Sequence, residues 1–312
     1  MAVFNCSCST GGIGNLGLPK CATLLGIVSR VIIVPTYSDD GVRNSILASD
    51  LVAGKVPANY FNAKLIETDP SKRWYVTDKL FDEVEISNTD RTTQTTSSGA
   101  IFELLQGVVM FKGKLWKRPA AYKGQLNTAK CGENSVFFID VEGSIMGEVS
   151  TDGSALYPME LQEGSLVSEW FPKSDTSESY VSLDFHLDRI VKSENFLTIP
   201  AGNITENLRK AESLIDVTLI ETAGSTSTTS VLYIDANYSL YGSFGNMGSL
   251  EGKIALTAWD IDGANPTAVV EASAGVYELT VANTSPATVK YVEGRTVATS
   301  KGFESNSLVI TY

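Results

Sequence analysis

Short runs of β-branched and aromatic residues, separated every few positions by Gly, Asp, Asn and Ser, extend through the whole sequence and limit its possible folds. Such runs favour strands, and the residues between them favour turns. The pattern predicts a mainly β chain with one or two short helices, in which an immunoglobulin-like β-sandwich forms the last part. With 312 residues, 43% of them hydrophobic, the chain is long enough for two domains, which we expect at 1–205 and 206–312.

Three pairs of strands are predicted in the first domain, because turn residues lie between apolar runs. The turns are SDDG at 38–41, VEGS at 141–144 and a longer polar loop at 172–179. In the third pair, apolar and polar residues alternate from Tyr180 onwards, which indicates one buried and one polar face. The paired segments are 24–35 with 42–47, the two apolar runs within 135–147, and 166–171 with 180–192.

Two segments of the first domain have signals of short helices. Residues 58–67 place apolar side chains at helical spacing and end before Pro70, which disfavours helix in the residue before it. Residues 119–130 begin with a Pro, which suits the first helical position, and continue with good helix formers. Residues 99–116 contain glycines and adjacent valines, and we interpret them as extended.

The composition changes after about residue 213, where Lys and Arg become rare and Ser and Thr become frequent. Short strands with turns at regular spacing predict an immunoglobulin-like sandwich, although the cysteine pair of antibody domains is missing. The predicted strands are 215–221, 231–234, 239–241, 253–260, 267–272, 275–282, 288–293 and 307–312.

The formal net charge of −12 argues against a protein that wraps nucleic acid, because phosphate binding needs clustered Lys and Arg. Brief or repulsive contact with DNA is compatible with this charge. No stretch has the length and apolarity of a membrane-spanning helix, and the first residues lack the basic region of a secretion signal. We therefore expect neither a membrane anchor nor export by that route.

Four cysteines, Cys6, Cys8, Cys21 and Cys131, leave three chemical possibilities. A zinc site would need a second cysteine pair, which the lone Cys131 does not supply. A disulfide framework is weakly indicated in a chain of this length without a signal. Reduced structural thiols are the default expectation.

Two other motifs match binding sites only in part. Residues 12–17 read G-x-G-x-x-G, but the helix that a dinucleotide site requires would contain Pro19, so a flexible arm is the preferred interpretation. Residues 260–271 resemble the start of a calcium loop, yet Asn265 stands where an EF-hand needs Gly. A turn between strands is the preferred interpretation of that segment.

His186 is the single histidine of the chain and is flanked on its predicted strand by Asp184 and Asp188. This spacing can reach a metal but lacks the partners of a Ser-His-Asp triad. We interpret His186 as a polar or interface residue. The sequence thus predicts no catalytic residue, no cofactor and no metal.

Charge clusters are more informative than these motifs. Basic residues gather between 112 and 130, and acidic residues gather just before and after them. Such clusters are often only solvated surface, and the alternative is complementary faces on neighbouring copies that close into a ring. The residues predicted at this subunit interface are Lys112, Lys114, Lys117 and Arg118 on one side and Asp78, Asp82, Glu83 and Glu85 on the other.

Five segments of the first two thirds together resemble virion structural proteins of tailed bacteriophages that infect Bacteroidetes. Most such relatives are tail tube proteins, some with an appended immunoglobulin-like domain. The resemblance covers residues 1–200 more closely than the remainder. The segments are the arm at 6–21, VIIVPTY at 31–37, KRWY at 72–75, KGKL at 112–115 and the hairpin at 136–147.

The resemblance implies a tail-tube-like sandwich or barrel without enzymatic activity. Inner sheets of neighbouring copies would join around a lumen, usually in hexameric rings that stack, and the genome would pass through during ejection. An acidic wall suits this role because it repels DNA phosphates. Residues 1–20 and 90–98 would become ordered on contact with adjacent rings.

The implied location is the virion tail, with assembly in the host bacterial cytoplasm and contacts to other tail proteins. Two alternatives remain open at this point. One is a different virion component, such as a capsid decoration or head–tail connector protein. The other is a surface adhesin, against which the missing export signal counts.

Overall fold

The computed structural model describes residues 25–78, 80–89, 92–98, 101–105, 107–222, 231–239, 246–281, 287–292 and 302–310. The chain forms two compact units, Met1–Ala211 and Glu212–Tyr312. The division falls six residues after the boundary at 205/206 that the sequence suggested. The reason is local, since Glu206 and Ala211 are both held by hydrogen bonds to residues of the first unit.

The first unit is built from fourteen strands and two short α-helices among its described residues. Its helices are α1 (Tyr60–Leu65) and α2 (Ala120–Thr128). Its strands are β1 (Val28–Pro35), β2 (Ile46–Leu47), β3 (Tyr75–Val76), β4 (Asp82–Asn88), β5 (Thr92–Thr95), β6 (Ile101–Leu105), β7 (Val109–Trp116), β8 (Asn134–Asp140), β9 (Ile145–Val149), β10 (Ala155–Tyr157), β11 (Met159–Glu160), β12 (Val167–Phe171), β13 (Tyr180–His186) and β14 (Phe196–Ile199).

The larger sheet of this unit has the strand order β2-β10-β9-β8-β1-β3, with β11 beside β8 and β14 beside β9. Its centre is the antiparallel pair β1–β8, which runs from Val28 opposite Asp140 to Pro35 opposite Asn134. The predicted hairpin within 135–147 is confirmed as β8–β9. The Asp140 carboxylate closes its turn by accepting hydrogen bonds from the backbone N–H groups of residues 142–144.

The first predicted hairpin, 24–35 with 42–47, is wrong. The turn at 38–41 forms, and Tyr37 bridges Arg43, but the chain then leaves β1. Strand β2 pairs with β10, whereas β1 pairs with β8 and β3. Distant strands therefore take both edges of β1 in place of the neighbouring segment.

The smaller sheet of the unit has four strands in the order β12-β13-β7-β4. The predicted pair 166–171 with 180–192 is confirmed as β12–β13, although β13 ends at His186. The described parts of the predicted extended segment at 99–116 include β6 and β7. Residues 92–95 belong to the segment 90–98 that was expected to become ordered only on contact with adjacent rings, and they form β5, which pairs with β6 in a separate two-stranded sheet.

Two hydrophobic layers lie on the two faces of the larger sheet. Alternate residues of β1 point to opposite faces, so Val31 and Ile33 face the smaller sheet while Ile32 and Val34 face α1. Between the sheets, Phe111, Phe138 and Phe185 stack with ring centroids 4.8 to 6.1 Å apart. On the other face, Phe61 of α1 and Trp74 pack on Phe137 and its neighbours.

Both predicted helices are present but shorter than expected. Helix α1 lies within 58–67, and the Glu206 carboxylate accepts hydrogen bonds from Phe61 N and Asn62 N at its first turn. Helix α2 begins after Pro119, which occupies the N-cap instead of the first helical position. It packs on β12, where Ser168 Oγ donates to the carbonyl of Lys123.

The second unit is a sandwich of two sheets. Its strands are β15 (Ile215–Glu221), β16 (Val231–Ser239), β17 (Asn246–Ser249), β18 (Trp259–Ile261), β19 (Ala268–Ser273), β20 (Val276–Thr280), β21 (Ala287–Tyr291), β22 (Phe303–Ser305) and β23 (Leu308–Ile310). One sheet has the order β19-β20-β16-β15-β22, with β17 beside β16, and the other has the order β18-β21-β23. Apart from β17 and β22, this is the strand order of an immunoglobulin constant-type sandwich. Its strands A, B, E and D correspond to β15, β16, β20 and β19, and its strands C, F and G correspond to β18, β21 and β23.

Trp259 occupies the position of the buried tryptophan on strand C of immunoglobulin domains, with its ring centroid 5.0 Å from those of Tyr277 and Tyr291. The predicted strand 253–260 is largely wrong, because a 3₁₀ turn at Leu256–Ala258 precedes β18. Of the predicted strand 239–241, Ser239 is the last residue of β16, and residues 240–241 lie outside the described residues. The predicted mainly β fold class is confirmed in both units.

Candidate assembly surface

The smaller sheet of the first unit turns one face to the core and the other away from it. On β7, for example, Phe111, Gly113 and Leu115 are buried, whereas Lys112 and Lys114 point outward. We call the outward side the outer face. It comprises Asp82, Glu85 and Ser87 on β4, Met110, Lys112, Lys114 and Trp116 on β7, Tyr180, Ser182, Asp184 and His186 on β13, and Val167, Glu169 and Phe171 on β12.

Opposite charges lie side by side on the outer face in two neighbouring rows. In one row Lys112 lies between Glu85 and Asp184, and in the next Lys114 lies between Asp82 and Ser182. A bulge at residues 82–85 adds Glu83, whose carboxylate accepts a hydrogen bond from Lys114. The face thus carries five carboxylates against two ammonium groups: Asp82, Glu83, Glu85, Glu169 and Asp184 against Lys112 and Lys114.

Ion pairs within the chain already join members of the two predicted charge sets. Lys114 pairs with Glu83, and this hydrogen bond raises the pKa of Lys114. Arg118 pairs with Asp78, with 2.6 Å between the nitrogen and the carboxylate oxygen. These contacts form because β4 and β7 are adjacent antiparallel strands of one sheet.

The sequence assigned these contacts to neighbouring copies, and for Lys114 and Arg118 the structure shows the partner acid in the same chain. Lys117 follows β7 in a left-handed conformation (φ 57°), and its backbone N–H donates to the carbonyl of Ser179. The structure therefore brings all eight residues to one sheet and its adjoining loops. Their place at a subunit interface stays a prediction.

The Asp184 carboxyl has a raised pKa, chiefly because it is partly removed from water. Lys112 opposes this shift, whereas Glu169 and Glu85 add to it. Acidic neighbours on the outer face thus add to the effect of burial in disfavouring the ionisation of Asp184.

Aromatic residues occupy one end of the outer face. Phe171, Tyr180 and Trp116 lie side by side on β12, β13 and β7. The centroids of Phe171 and Tyr180 are 4.5 Å apart, and those of Tyr180 and Trp116 are 5.0 Å apart. The Lys114 ammonium lies 5.1 Å from the Tyr180 ring centroid. We call these three residues the aromatic row.

Both edges of the smaller sheet are open among the residues that the structure describes, since β4 and β12 each pair on one side only. All three strand pairs in the sheet are antiparallel, so β4 and β12 run in opposite directions. Each edge also exposes an apolar residue on the core side. Ile86 on β4 is 46% exposed and Trp170 on β12 is 38% exposed, although both lie in register with buried residues.

His186 ends β13 on the outer face, and its backbone N–H donates to Ser165 Oγ. Asp184 shares its face, while the Asp188 carboxylate caps the following turn by accepting from Ile190 N. Within the described parts of the chain, no group of three His, Cys, Asp or Glu side chains is arranged to hold a metal ion.

The carboxylates of the calcium-like segment cap backbone turns. Asp260 accepts from Gly263 N and Asp262 accepts from Thr288 N, as in a connection between strands. Glu271 accepts from Gly252 N and Gly275 N. Cys131 lies exposed after α2, whereas the motif at 12–17, the other three cysteines and the arm at 1–20 lie outside the described residues.

The sequence identified the charged residues of this surface but missed the aromatic row and the two exposed apolar edge residues. The alternation along β12 and β13 could have indicated which side chains point outward. Their alignment across three strands depends on long-range register, for which the sequence has no local signal.

The chain matches no protein-family model, and no curated protein matches it. Within the described ranges, no helix has the length and apolar character needed to cross a membrane.

Proposed function

We propose that this chain is a self-assembling virion structural protein, a subunit of a phage tail tube whose stacked rings conduct the genome. The observation that carries the proposal is the smaller sheet, whose open edges β4 and β12 run in opposite directions. An open edge presents unpaired backbone groups to another strand. A copy rotated about a common axis can place its β4 beside β12 of its neighbour and continue the antiparallel order.

The exposed apolar residues at the edges support the same arrangement. Ile86 and Trp170 face the core side of the sheet, and nothing within the described chain covers them fully. A neighbouring sheet added at each edge would extend the core layer over both residues. Burial of apolar area contributes about 25 cal/mol per Å², so both contacts would favour joining.

In such a ring the outer face would line the lumen. Its excess of carboxylates over lysines suits a wall along which DNA slides, because negative charge repels the phosphates. Lys114 is paired with Glu83, and Lys112 lies between two carboxylates, so neither lysine is a free phosphate contact on this wall.

The test is assembly of the purified full-length chain, followed by light scattering and negative-stain microscopy. We expect hollow rings that stack into tubes. Replacing Ile86 by Lys should leave a folded chain that does not form rings, because the charge would enter the joint. Ile190→Lys is the matched control, since Ile190 is an exposed isoleucine outside both edges.

Salt provides a second readout. Joining through backbone hydrogen bonds and apolar contact should persist at 1 M salt, where the screening length falls to about 3 Å. Monomers at every protein concentration, or an Ile86→Lys chain that assembles like the unmodified one, would contradict the proposal. A monomer that binds carbohydrate would favour the adhesin.

A further inference from the structure

The hydrogen bonds inside the smaller sheet determine which backbone groups its open edges present. In an antiparallel pair, residues that exchange hydrogen bonds alternate with residues that do not. The bond from Leu187 N to the carbonyl of Val109 fixes this alternation between β13 and β7. Continued along β13 and across to β12, the alternation turns the N–H and C=O groups of Ser168 and Trp170 toward the open edge.

Strand β4 at the other edge follows the same rule. The bond from Thr89 N to the carbonyl of Val108 continues the β4–β7 pair, so every second residue of β4 bonds to β7. The residues between them, Ile86 and Asn88, direct their backbone groups to the open edge. The side chains of all four edge residues lie on the core side of the sheet. Each edge therefore offers one apolar and one polar residue.

One register of an antiparallel joint matches these residues by character. With Trp170 opposite Ile86 of a second copy, Ser168 stands opposite Asn88 of that copy. The apolar side chains then meet across the joint. Ser168 Oγ already donates to the carbonyl of Lys123, and its oxygen can accept from the Asn88 amide. A slip of two residues would put an apolar residue opposite a polar one.

The same register gives the strands a tilt suited to a closed barrel. Within one copy, Trp170 is level with Leu115 of β7, whereas Ile86 is level with Phe111, four residues away. Each copy thus offsets the register by one residue per strand across its four strands. At about 3.3 Å per residue and about 4.8 Å between strands, the tilt is about 35°, within the roughly 35–45° of closed barrels. Ser168 opposite Ile86 would halve the offset and give about 19°.

We infer that copies join laterally in this register, with Trp170 and Ser168 of one copy opposite Ile86 and Asn88 of the next. The inference rests on the proposed function and adds the residue pairs that form the joint. Both pairs exchange backbone hydrogen bonds, because all four residues direct these groups to the open edges. Trp170 is the apolar anchor of the joint, and its Nε1 is held by the carbonyl of Arg118.

Engineered disulfides test the register directly. Directly opposite residues of a hydrogen-bonded pair have Cα atoms about 5.5 Å apart, within disulfide range, whereas diagonal neighbours are about 7–8 Å apart. With the native cysteines replaced by serine, Ser168→Cys combined with Asn88→Cys should give covalent multimers when assembled rings are oxidised. Ser168→Cys combined with Ile86→Cys, which matches a slip of two residues, should stay monomeric in denaturing electrophoresis.

A second pair of variants measures the anchor without engineered cysteines. Trp170 and Val167 share β12 and are 38% and 37% exposed, but they lie on opposite faces. Trp170→Ala should raise the protein concentration needed for assembly about tenfold or more, and Val167→Ala should leave it nearly unchanged. Thermal unfolding checks that both chains remain folded.

The register and the proposed function fail in different ways. Rings that crosslink through residues 168 and 86, or through neither cysteine pair, would overturn the register and leave the ring proposal standing. Equal assembly of Trp170→Ala and Val167→Ala would also overturn it. If the unmodified chain forms no rings, the proposed function fails, and the register fails with it.

Discussion

Replacing Arg30 by Met should greatly weaken the first unit, because one buried guanidinium ties three segments together. Arg30 lies on β1 and is 2% exposed. Its Nε donates to the carbonyl of Thr77, and one terminal nitrogen donates to the carbonyls of Leu208 and Ala211 at 3.1 and 2.7 Å. The carbonyls of Asp78 and Arg209 accept further, part-buried bonds.

The size of the effect follows from these contacts. Methionine leaves the buried carbonyls of Thr77 and Ala211 without a donor, at a cost of about 2 kcal/mol each, whereas the carbonyl of Leu208 still accepts from Ala211 N. Water can reach the two part-buried carbonyls. Burial of the methionine side chain returns roughly 1–2 kcal/mol, which leaves a net loss of about 3 kcal/mol. This loss corresponds to a rise of about two orders of magnitude in the unfolded fraction.

Hydrogen exchange with mass spectrometry measures this loss unit by unit, since the most protected core amides report global opening. Peptides from β8 should exchange about a hundredfold faster in Arg30→Met, by the same conversion. Peptides from β16 and β20 in the second unit serve as an internal reference. Arg189→Met is the matched control because Arg189 is exposed.

In Arg30→Lys, the amide exchange rate of β8 peptides should lie between the rates of the unmodified chain and of Arg30→Met. A single ammonium keeps the charge but cannot reach Thr77 on one side and Ala211 on the other, as the planar guanidinium does. Unchanged exchange of β8 in Arg30→Met would refute the reasoning, because it would mean that water or repacking satisfies the carbonyls without cost.

Two further outcomes follow from close packing and from a capped turn. Gly113→Ala should destabilise the first unit by about 1–3 kcal/mol in urea unfolding, because overpacking strains a core and the new Cβ would lie 2.6 Å from the Phe81 ring. Gly202→Ala, with no atom within 4 Å, should change little. Hydrogen bonds from Ser150, then from Ser154, lower the pKa of Asp152 to about 2. The ionised Asp152 carboxylate should therefore stabilise the fold fully above its ordinary pKa of 3.8, and this contribution should be lost as the pH falls through about 2. In a carbon NMR titration, Ser154→Ala should raise the pKa of Asp152.

Local signals in the sequence were sufficient for much of the fold. The strand at 215–221 coincides with β15, and the turn at 141–144 joins β8 and β9. The turn succeeds as a local signal because its stabilising contacts are local: the Asp140 side chain bonds to the next few backbone N–H groups. Alternation along β13 identified its buried side for the same reason.

Contacts between distant segments were beyond these signals. The turn at 38–41 forms as predicted, but Ile46 and Leu47 pair with β10, more than a hundred residues away. A turn restricts only the few residues around it, whereas strand pairing depends on which edges the rest of the chain leaves free. The same limit applies to the boundary between the units, where Arg30 binds the carbonyl of Ala211.

The charge clusters include two contacts that the structure shows within one chain, Lys114 with Glu83 and Arg118 with Asp78. Composition revealed complementary sets at 78–85 and 112–118, and complementarity alone does not distinguish two copies from two strands. The distinction comes from the bulge at 82–85, which brings Glu83 to Lys114. Because Lys114 and Arg118 have partners within the chain, the assembly proposed above would depend mainly on the open edges and their exposed apolar residues. In the proposed ring, an acidic outer face and joined copies are compatible, because the carboxylates that would repel DNA are not the residues that would join the copies.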